Sequence, residues 1–247
     1  MRHIIRVFSL LSLAALFFAC SQTPGSAPAE PQLESTTQGI SSDRADIAAQ
    51  EFEFEVTIEN LTPATGPGAS QPFAPPLLAT HTPLYHIFRL GKFASDELAQ
   101  IAQDAVSGPM IDMLNESDFV YDVAQGDGVV FPGSSTTIRI KARPGFHKLS
   151  IVSMLVNTND AFTGVDGLRL PAYGTKVYYM RTYDAGSEKN TELKGHIPGP
   201  CCGTPFEGIP THERIHFHKG ITGVGDLSPE MYGWDEPSAK ITIRRVN

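Results

Sequence analysis

Basic residues are scarce in this sequence, and no segment concentrates them. The 19 Lys and Arg residues are outnumbered by 27 Asp and Glu residues, which gives a formal net charge of −8. Proteins that bind nucleic acid need a basic patch or stripe that neutralises phosphates. The absence of such a stripe excludes nucleic acid as an expected partner. It also argues against docking to anionic lipid by charge alone.

Motifs of two common enzyme classes are absent as well. The sequence has no Gly-x-Ser-x-Gly turn and no phosphate-binding loop. It therefore offers neither the nucleophile of an α/β-hydrolase nor a cradle for a nucleotide. We expect a protein that is not an enzyme.

No apolar run is long enough to cross a membrane. The run near the N terminus, residues 7–18, is shorter than the about 20 residues that a spanning helix needs. It follows Arg2 and Arg6 and ends just before Cys20. A positive start and a short apolar core are typical of a secretory signal peptide. The sequence therefore predicts a signal peptide over residues 1–19.

Cys20 is the expected site of a lipid anchor. Ala19-Cys20 resembles a bacterial lipobox, in which the cysteine is lipidated and becomes the mature N terminus, although Phe17 stands where leucine is usual. The alternative is an ordinary cleaved signal peptide followed by a chance cysteine. Lipidation is favoured because the exported chain would otherwise begin near a stray thiol. With Ser21 next, this predicts an exported bacterial lipoprotein of the cell envelope, in the outer membrane if there is one.

The stretch that begins at Cys20 predicts a flexible tether. Residues 20–50 are polar, small and proline-rich, a composition that cannot bury a core. Residues 51–247 remain for one domain, which is long enough for a single well-filled core. The anchor and tether would let this domain stand off from a membrane surface.

The predicted domain is rich in strand patterns. In residues 52–58 and 136–142, apolar and polar side chains alternate with the two-residue period of a half-buried strand. Further strand-like segments are separated by Gly- and Pro-rich turns, at residues 148–156, 176–183, 214–218 and 240–246. This pattern predicts a mainly β fold, an antiparallel β-sandwich.

One or two short helices are predicted in a connection. Ser95 is a suitable N-cap, and apolar residues follow at helical spacing from Leu98 to Val106. Gly108-Pro109 is expected to end this helix, and residues 110–114 suit a second one.

Two short segments concentrate oxygen-bearing side chains. Residues 157–166 read Asn-Thr-Asn-Asp-Ala-Phe-Thr-Gly-Val-Asp, and residues 184–190 read Asp-Ala-Gly-Ser-Glu-Lys-Asn. Calcium binds six to eight oxygens from carboxylates, carbonyls and water. Two such turns on a β-scaffold indicate an extracellular calcium site. The alternative is that these are solvated turn acids, since Asp, Asn and Gly populate turns in any case.

Five segments carry a resemblance to a known family. They lie at residues 54–62, 71–81, 153–164, 183–186 and 197–200. The longest reads Ser-Met-Leu-Val-Asn-Thr-Asn-Asp-Ala-Phe-Thr-Gly. Together they resemble the spondin N-terminal domain family, and its bacterial branch in particular. The resemblance implies a calcium-binding β-sandwich of the kind found at the start of extracellular-matrix adhesion proteins.

The resemblance also implies three acidic ligands for Ca²⁺. They are Asp160, Asp184 and Glu188, with main-chain carbonyls near Ala161 and Glu188 completing the shell. The family has aspartate where this sequence has Glu188, so the charge is kept on a longer arm. The expected function is a calcium-binding extracytoplasmic surface domain, an adhesion or recognition module for a polysaccharide, matrix or protein. A purely structural envelope protein is an alternative.

Two imidazoles supply an alternative chemistry. His216 and His218 are two residues apart on a predicted strand, so both face one side. With a third ligand they could form the zinc site of a metal-dependent enzyme. We expect them instead to point outward or to be hydrogen-bonded at a loop edge, with Ile215 and Phe217 packing into the core.

Cys201 and Cys202 are adjacent, in a turn bounded by Pro200 and Gly203. Neighbouring cysteines can form a strained disulfide, remain thiols or pair between chains. We favour an oxidised staple of the loop.

Overall fold

The computed structural model describes residues 50–64 and 70–247. The predicted signal peptide, Cys20 and the tether up to residue 49 lie outside these residues. The strands and helices of the described part are, in chain order, β1 (Phe52–Asn60), β2 (Leu77–His81), α1 (Asp96–Asp104), α2 (Gly108–Asn115), β3 (Val120–Gln125), β4 (Ser135–Ala142), β5 (Lys148–Met154), β6 (Ala161–Arg169), β7 (Thr175–Asp184), β8 (His216–Phe217), α3 (Pro229–Tyr232) and β9 (Ala239–Arg245). Within this part of the chain, no helix is long and apolar enough to cross a membrane.

Two antiparallel sheets share strand β7. The first sheet has the order β3-β2-β5-β6-β7, and the second has the order β7-β9-β1-β4. The first six residues of β7 pair with β9 and its last four pair with β6, so the strand passes from one sheet to the other. The predicted mainly β, antiparallel sandwich is confirmed.

Alternation along β1 fills the space between the sheets. Phe54, Val56 and Ile58 are buried, and the residues between them are less so. They join Ile241 and Ile243 of β9 in the main core. Since burying a side chain of this size stabilises the fold by about 1.5–3 kcal/mol, this strand contributes strongly to stability.

The two helices in the connection between β2 and β3 partly follow the prediction. Helix α1 begins where expected, because Ser95 Oγ accepts the Leu98 N–H at 3.3 Å. It ends at Asp104, earlier than predicted, since Ala105 adopts a left-handed conformation with φ of 58°. The prediction that Gly108-Pro109 ends this helix is wrong. The pair begins α2 instead, because proline is tolerated in a first turn, where its missing N–H has no helical partner.

Strand β6 occupies much of residues 157–166, the segment that the sequence predicted to be a turn. The turn proper is limited to residues 157–160, and Asp166 lies in the strand. Gly164 is needed there because a Cβ atom would come within 2.5 Å of the Ile151 carbonyl oxygen. Turn-forming residues thus serve close strand packing in this segment.

Candidate metal site

Asp160 is the last residue of the turn between β5 and β6. The Thr158 hydroxyl donates to the Leu155 carbonyl at 2.6 Å and accepts the Ala161 N–H at 3.1 Å. These bonds close the turn internally and hold the main chain just before and just after Asp160. The residue is fully buried.

The two carboxylate oxygens of Asp160 have different surroundings. Oδ2 accepts the Ser187 N–H at 2.7 Å, the Ser187 hydroxyl at 3.0 Å and the Glu188 N–H at 2.9 Å. Oδ1 is buried and has no hydrogen-bond partner among the described residues. Leaving such an atom unpaired costs about 1–3 kcal/mol, and more when the group is charged. A cation bound at Oδ1 would supply the missing interaction.

Asp184 ends β7, next to the start of β6, and is buried as well. Its Oδ1 accepts the Gly186 N–H at 2.7 Å, and its Oδ2 accepts the Asn190 side-chain amide at 2.5 Å. The Nε2 atom of His216 lies 3.6 Å from the same Oδ2. Because Ala161 is the direct cross-strand partner of Asp184, the fold sets two predicted ligands side by side.

Burial and mutual repulsion disfavour the ionised forms of these acids. The pKa of Asp160 is raised to about 6, first by burial and then by the charge of Asp184. The pKa of Glu188 is raised to about 7, first by burial and then by the charges of Asp160 and Asp104. Both shifts have the sign expected where acids share a poorly solvated site without a counterion.

Glu188, the third predicted ligand, packs its carboxylate against a residue outside the predicted site. A Cβ atom at Gly208 would lie 2.0 Å from the Glu188 carboxylate atoms, so that carboxylate packs against the glycine. The Ala161 carbonyl, also expected near the metal, accepts the Leu155 N–H at 2.9 Å. Among the described residues, no three His, Cys, Asp or Glu side chains form a group that could hold a metal ion. The fold brings Asp160 and Asp184 together and does not complete their ligand set with Glu188.

His216 and His218 lie beside these acids. His216 Nδ1 donates to the Arg214 carbonyl at 3.0 Å, since a carbonyl oxygen can only accept. His218 Nδ1 accepts the Gly220 N–H at 3.0 Å, and its Nε2 lies 3.2 Å from Asn190 Oδ1. Both imidazoles line a polar cavity of about 360 Å³ that also reaches Asp184 and Glu188.

The prediction that Phe217 packs into the core is wrong. Ile215 is buried, but Phe217 is 38% exposed. Strand β8 has only two residues, and it places Phe217 opposite Tyr183, with 5.4 Å between the ring centroids. The guanidinium of Arg181 lies 3.8 Å from the Phe217 ring centroid. The phenyl ring thus covers the rim of the sheet.

One further sequence pattern ends at the first residue of β8. Residues 212–216 read His-Glu-Arg-Ile-His, which forms a zinc site when it lies on a helix. Here the segment is not helical, since the Ile215 N–H donates to the Lys92 carbonyl at 2.8 Å. His212 stacks on Phe93, with ring centroids 4.2 Å apart. The helical geometry that this motif needs is not formed.

Glu192 is a buried acid that the sequence patterns did not reveal. Its carboxylate accepts the Thr222 N–H at 2.7 Å, the Thr222 hydroxyl at 2.8 Å, the Gly223 N–H at 2.7 Å and the Val224 N–H at 3.1 Å. Its own N–H donates to Asn159 Oδ1 at 3.3 Å. With both oxygens satisfied, this acid clamps the loop around residue 222 to the turn that ends at residue 160.

Asp166 belongs to a separate polar cluster. Its Oδ1 accepts the Ile87 N–H at 2.8 Å and the Ser150 hydroxyl at 2.9 Å, and its Oδ2 lies 2.5 Å from His86 Nδ1. Ser150 Oγ also lies 2.7 Å from His81 Nε2. The serine is fully buried, and the carboxylate contacts it rather than the His81 ring. This is not the arrangement of a nucleophilic triad, in which the acid orients the imidazole and the hydroxyl reaches substrate.

Cys201 and Cys202 are joined by a disulfide. The Cys201 N–H donates to Asn157 Oδ1 at 3.1 Å. This bond links the cysteine loop to the turn that carries Asp160.

Comparison with known families decides the classification of the chain. The Spondin_N family model matches residues 56–194, more than half of the sequence. The chain belongs to the Spondin_N family. The match includes all three acidic positions of the candidate site. A search of curated proteins finds no match. In this Spondin_N chain, β9 lies beyond the matched residues yet pairs with both β1 and β7, so the folded unit extends past the match.

Proposed function

We propose that this Spondin_N chain is a calcium-binding extracytoplasmic domain, held on a lipid anchor, that serves adhesion or recognition. Its ligand would be a polysaccharide, a matrix or another envelope protein. In this proposal the metal is structural and the chain is not an enzyme. The observation that carries the proposal is the buried, unpaired Oδ1 of Asp160 beside the buried carboxylate of Asp184.

The donor set favours Ca²⁺ over softer metals. The two carboxylates are contacted by the Ser187 hydroxyl and the Asn190 side-chain amide, which are hard oxygen-bearing groups, and one nitrogen ligand nearby, His216 Nε2, lies 3.6 Å from Asp184 Oδ2. Calcium accepts such ligands in irregular geometry, whereas Mg²⁺ demands near-ideal octahedra. A bound cation would give Asp160 Oδ1 a partner and would offset the repulsion between the acids. We expect Asp160 and Asp184 to dominate binding, because Glu188 packs against Gly208.

The position of the site supports a role in presenting loops. The carboxylate of Asp160 already holds the main chain at Ser187 and Glu188, so a metal there would stiffen the turn and this loop together. The adjoining polar cavity of about 360 Å³ would then have a fixed wall. Its volume is within the range of small-ligand sites.

Thermal denaturation with Ca²⁺ and with EDTA tests the proposal. A ligand that binds only the folded state stabilises it by about 2.7 kcal/mol at a hundredfold excess over Kd. We expect Ca²⁺ to raise Tm, and the combined variant Asp160→Ala and Asp184→Ala to lose the response. Asp112→Asn, a charge change on an exposed part of α2, should keep it. Identical curves with metal and with chelator for the unmodified chain would refute calcium binding.

A further inference from the structure

One edge of strand β7 carries main-chain groups without partners among the described residues. Residues 175–180 pair with β9, whereas β6 reaches only the last four residues of β7. The Arg245 N–H donates to the Gly174 carbonyl at 3.0 Å, which fixes the alternation of the ladder. In an antiparallel pair, every second residue turns its N–H and C=O away from the partner strand. Thr175, Val177 and Tyr179 therefore point these groups away from β9.

This edge also exposes large side chains. Val177 is 49% exposed, Tyr179 is 58% exposed, and Tyr173, in the turn before the strand, is 86% exposed. Proteins usually blunt a free edge with charges, proline or a covering loop, because it is a template for another strand. Here Lys176 is the only charged residue among residues 175–179.

We propose that two copies of this chain pair through the edges of β7, as an antiparallel homodimer centred on Val177. A twofold axis at this residue pairs Val177 with itself and places Thr175 opposite Tyr179. Pairs of β-branched and aromatic residues on adjacent strands each contribute about 0.2–1 kcal/mol relative to alanine pairs. The same twofold forms every contact twice, as in an isologous interface.

Charge disfavours the neighbouring register centred on Lys176, and the Val177 register suits a second copy as the occupant. Centring on Val177 places Lys176 of each chain opposite Tyr178 of the partner subunit. Centring one residue earlier would set the two Lys176 side chains face to face, and directly opposed like charges destabilise a sheet. The edge is thus self-complementary in the Val177 register.

The length of the free edge limits the paired segment. Gly164 of β6 already pairs with Arg181 on this side of β7, so the new ladder runs from Thr175 to Tyr179 and ends before Arg181. Tyr179, Arg181, Glu236 and Pro237 line an open, mostly apolar hollow of about 500 Å³ beside this segment.

Site-specific crosslinking of the full chain tests the register. Paired residues that exchange both hydrogen bonds have Cα atoms about 5.5 Å apart, which is within disulfide range. We expect Val177→Cys to form a covalent dimer on mild oxidation. Tyr179→Cys is the matched control, on the same strand and face. In the proposed dimer its two copies would be about 13 Å apart, four residues at about 3.3 Å each. The Tyr179→Cys variant should crosslink only when it is mixed with the Thr175→Cys variant, because the proposed register places these two residues opposite each other.

Two outcomes would overturn the proposed dimer, and two variants are expected to weaken it. Chance collision, or two chains sharing a detergent micelle, would crosslink Val177→Cys and Tyr179→Cys equally, and this would overturn the proposal. A full chain that sediments as a monomer at its highest soluble concentration would overturn it as well. Val177→Pro should give a monomer, because the N–H that it removes points away from β9. If that variant misfolds, Val177→Lys should weaken association at least tenfold with unchanged Tm, because the exposed residue at the twofold axis would set two lysines directly opposite each other.

Discussion

The carboxylate of Asp160 accepts a hydrogen bond from the main-chain N–H of Glu188, with an N···O distance of 2.9 Å. The same approach lets the charge of Asp160 help to raise the pKa of the Glu188 carboxyl. The main chain at Glu188 thus attracts the Asp160 carboxylate, while the carboxylates of Asp160 and Glu188 repel each other. This combination makes the site sensitive to protons, and in the proposed function to cations as well.

The first prediction concerns pH in the absence of metal. Asp160 has a pKa of about 6 in the fold and an ordinary value of 3.8, and Glu188 has about 7 against 4.5. For an acid with a raised pKa, the folded state keeps its proton while the unfolded state has released it. Stability should therefore fall as pH rises from about 4 to about 7, by up to about 3 kcal/mol for the two-unit shift of the buried Asp160 and by less for Glu188, which is partly exposed and screened by solvent.

Thermal denaturation of dialysed, metal-free protein between pH 4 and 8 checks whether stability falls as pH rises. Asp160→Asn should reduce the decline without abolishing it, because burial still raises the pKa of Glu188, and Asp112→Asn should leave the profile unchanged. Saturating Ca²⁺ should remove most of the decline, because the cation compensates the charges. A metal-free Tm that climbs steadily from pH 4 to 7 would contradict the account.

The second prediction concerns the Glu192 clamp. Glu192→Ala leaves the N–H groups of Thr222, Gly223 and Val224 without their acceptor. Thr222, Gly223 and Val224 are exposed, so water can replace much of the lost acceptor, and we expect a total loss of about 1–3 kcal/mol. Denaturant unfolding measures it, with exposed Glu207→Ala as the control. Equal stability of the two variants would show that the clamp contributes nothing.

The third prediction separates two neighbours in sequence. Ile215→Ala should cost about 2–5 kcal/mol, the range for a large buried aliphatic side chain. Phe217→Ala should cost clearly less, because its ring lies at the rim of the sheet and is partly exposed. Urea unfolding of both variants gives the comparison. A larger loss for Phe217 would mean that this ring, with Arg181, anchors the rim more strongly than burial implies.

The fourth prediction concerns Cys20. If this cysteine carries the lipid, the native chain partitions with membranes, and Cys20→Ser releases or misprocesses it. Membrane fractionation and mass analysis of the mature N terminus provide the measurement. A soluble wild-type chain that begins after a different residue would exclude the anchor.

The fold was predictable where one physical signal dominated. The alternation of Phe54, Val56 and Ile58 predicted a strand buried on one face, and Ser95 predicted the start of α1. Strand β6 was not predictable, because Gly164 reads as a turn residue and its role in strand packing depends on Ile151, thirteen positions earlier. The packing of the Glu188 carboxylate against Gly208 was not predictable either, because no local pattern connects these two residues. Glu192 was missed because its donors lie thirty residues further along the chain.

Direct calcium binding tests the central claim most directly. Equilibrium dialysis of the full chain at pH 7.5 with radioactive calcium gives the number of ions bound per chain. The account predicts one saturable site, lost in Asp160→Asn and in Asp184→Asn and retained in Asp112→Asn. The absence of saturable binding in the unmodified chain, or binding that survives both site variants, would contradict it.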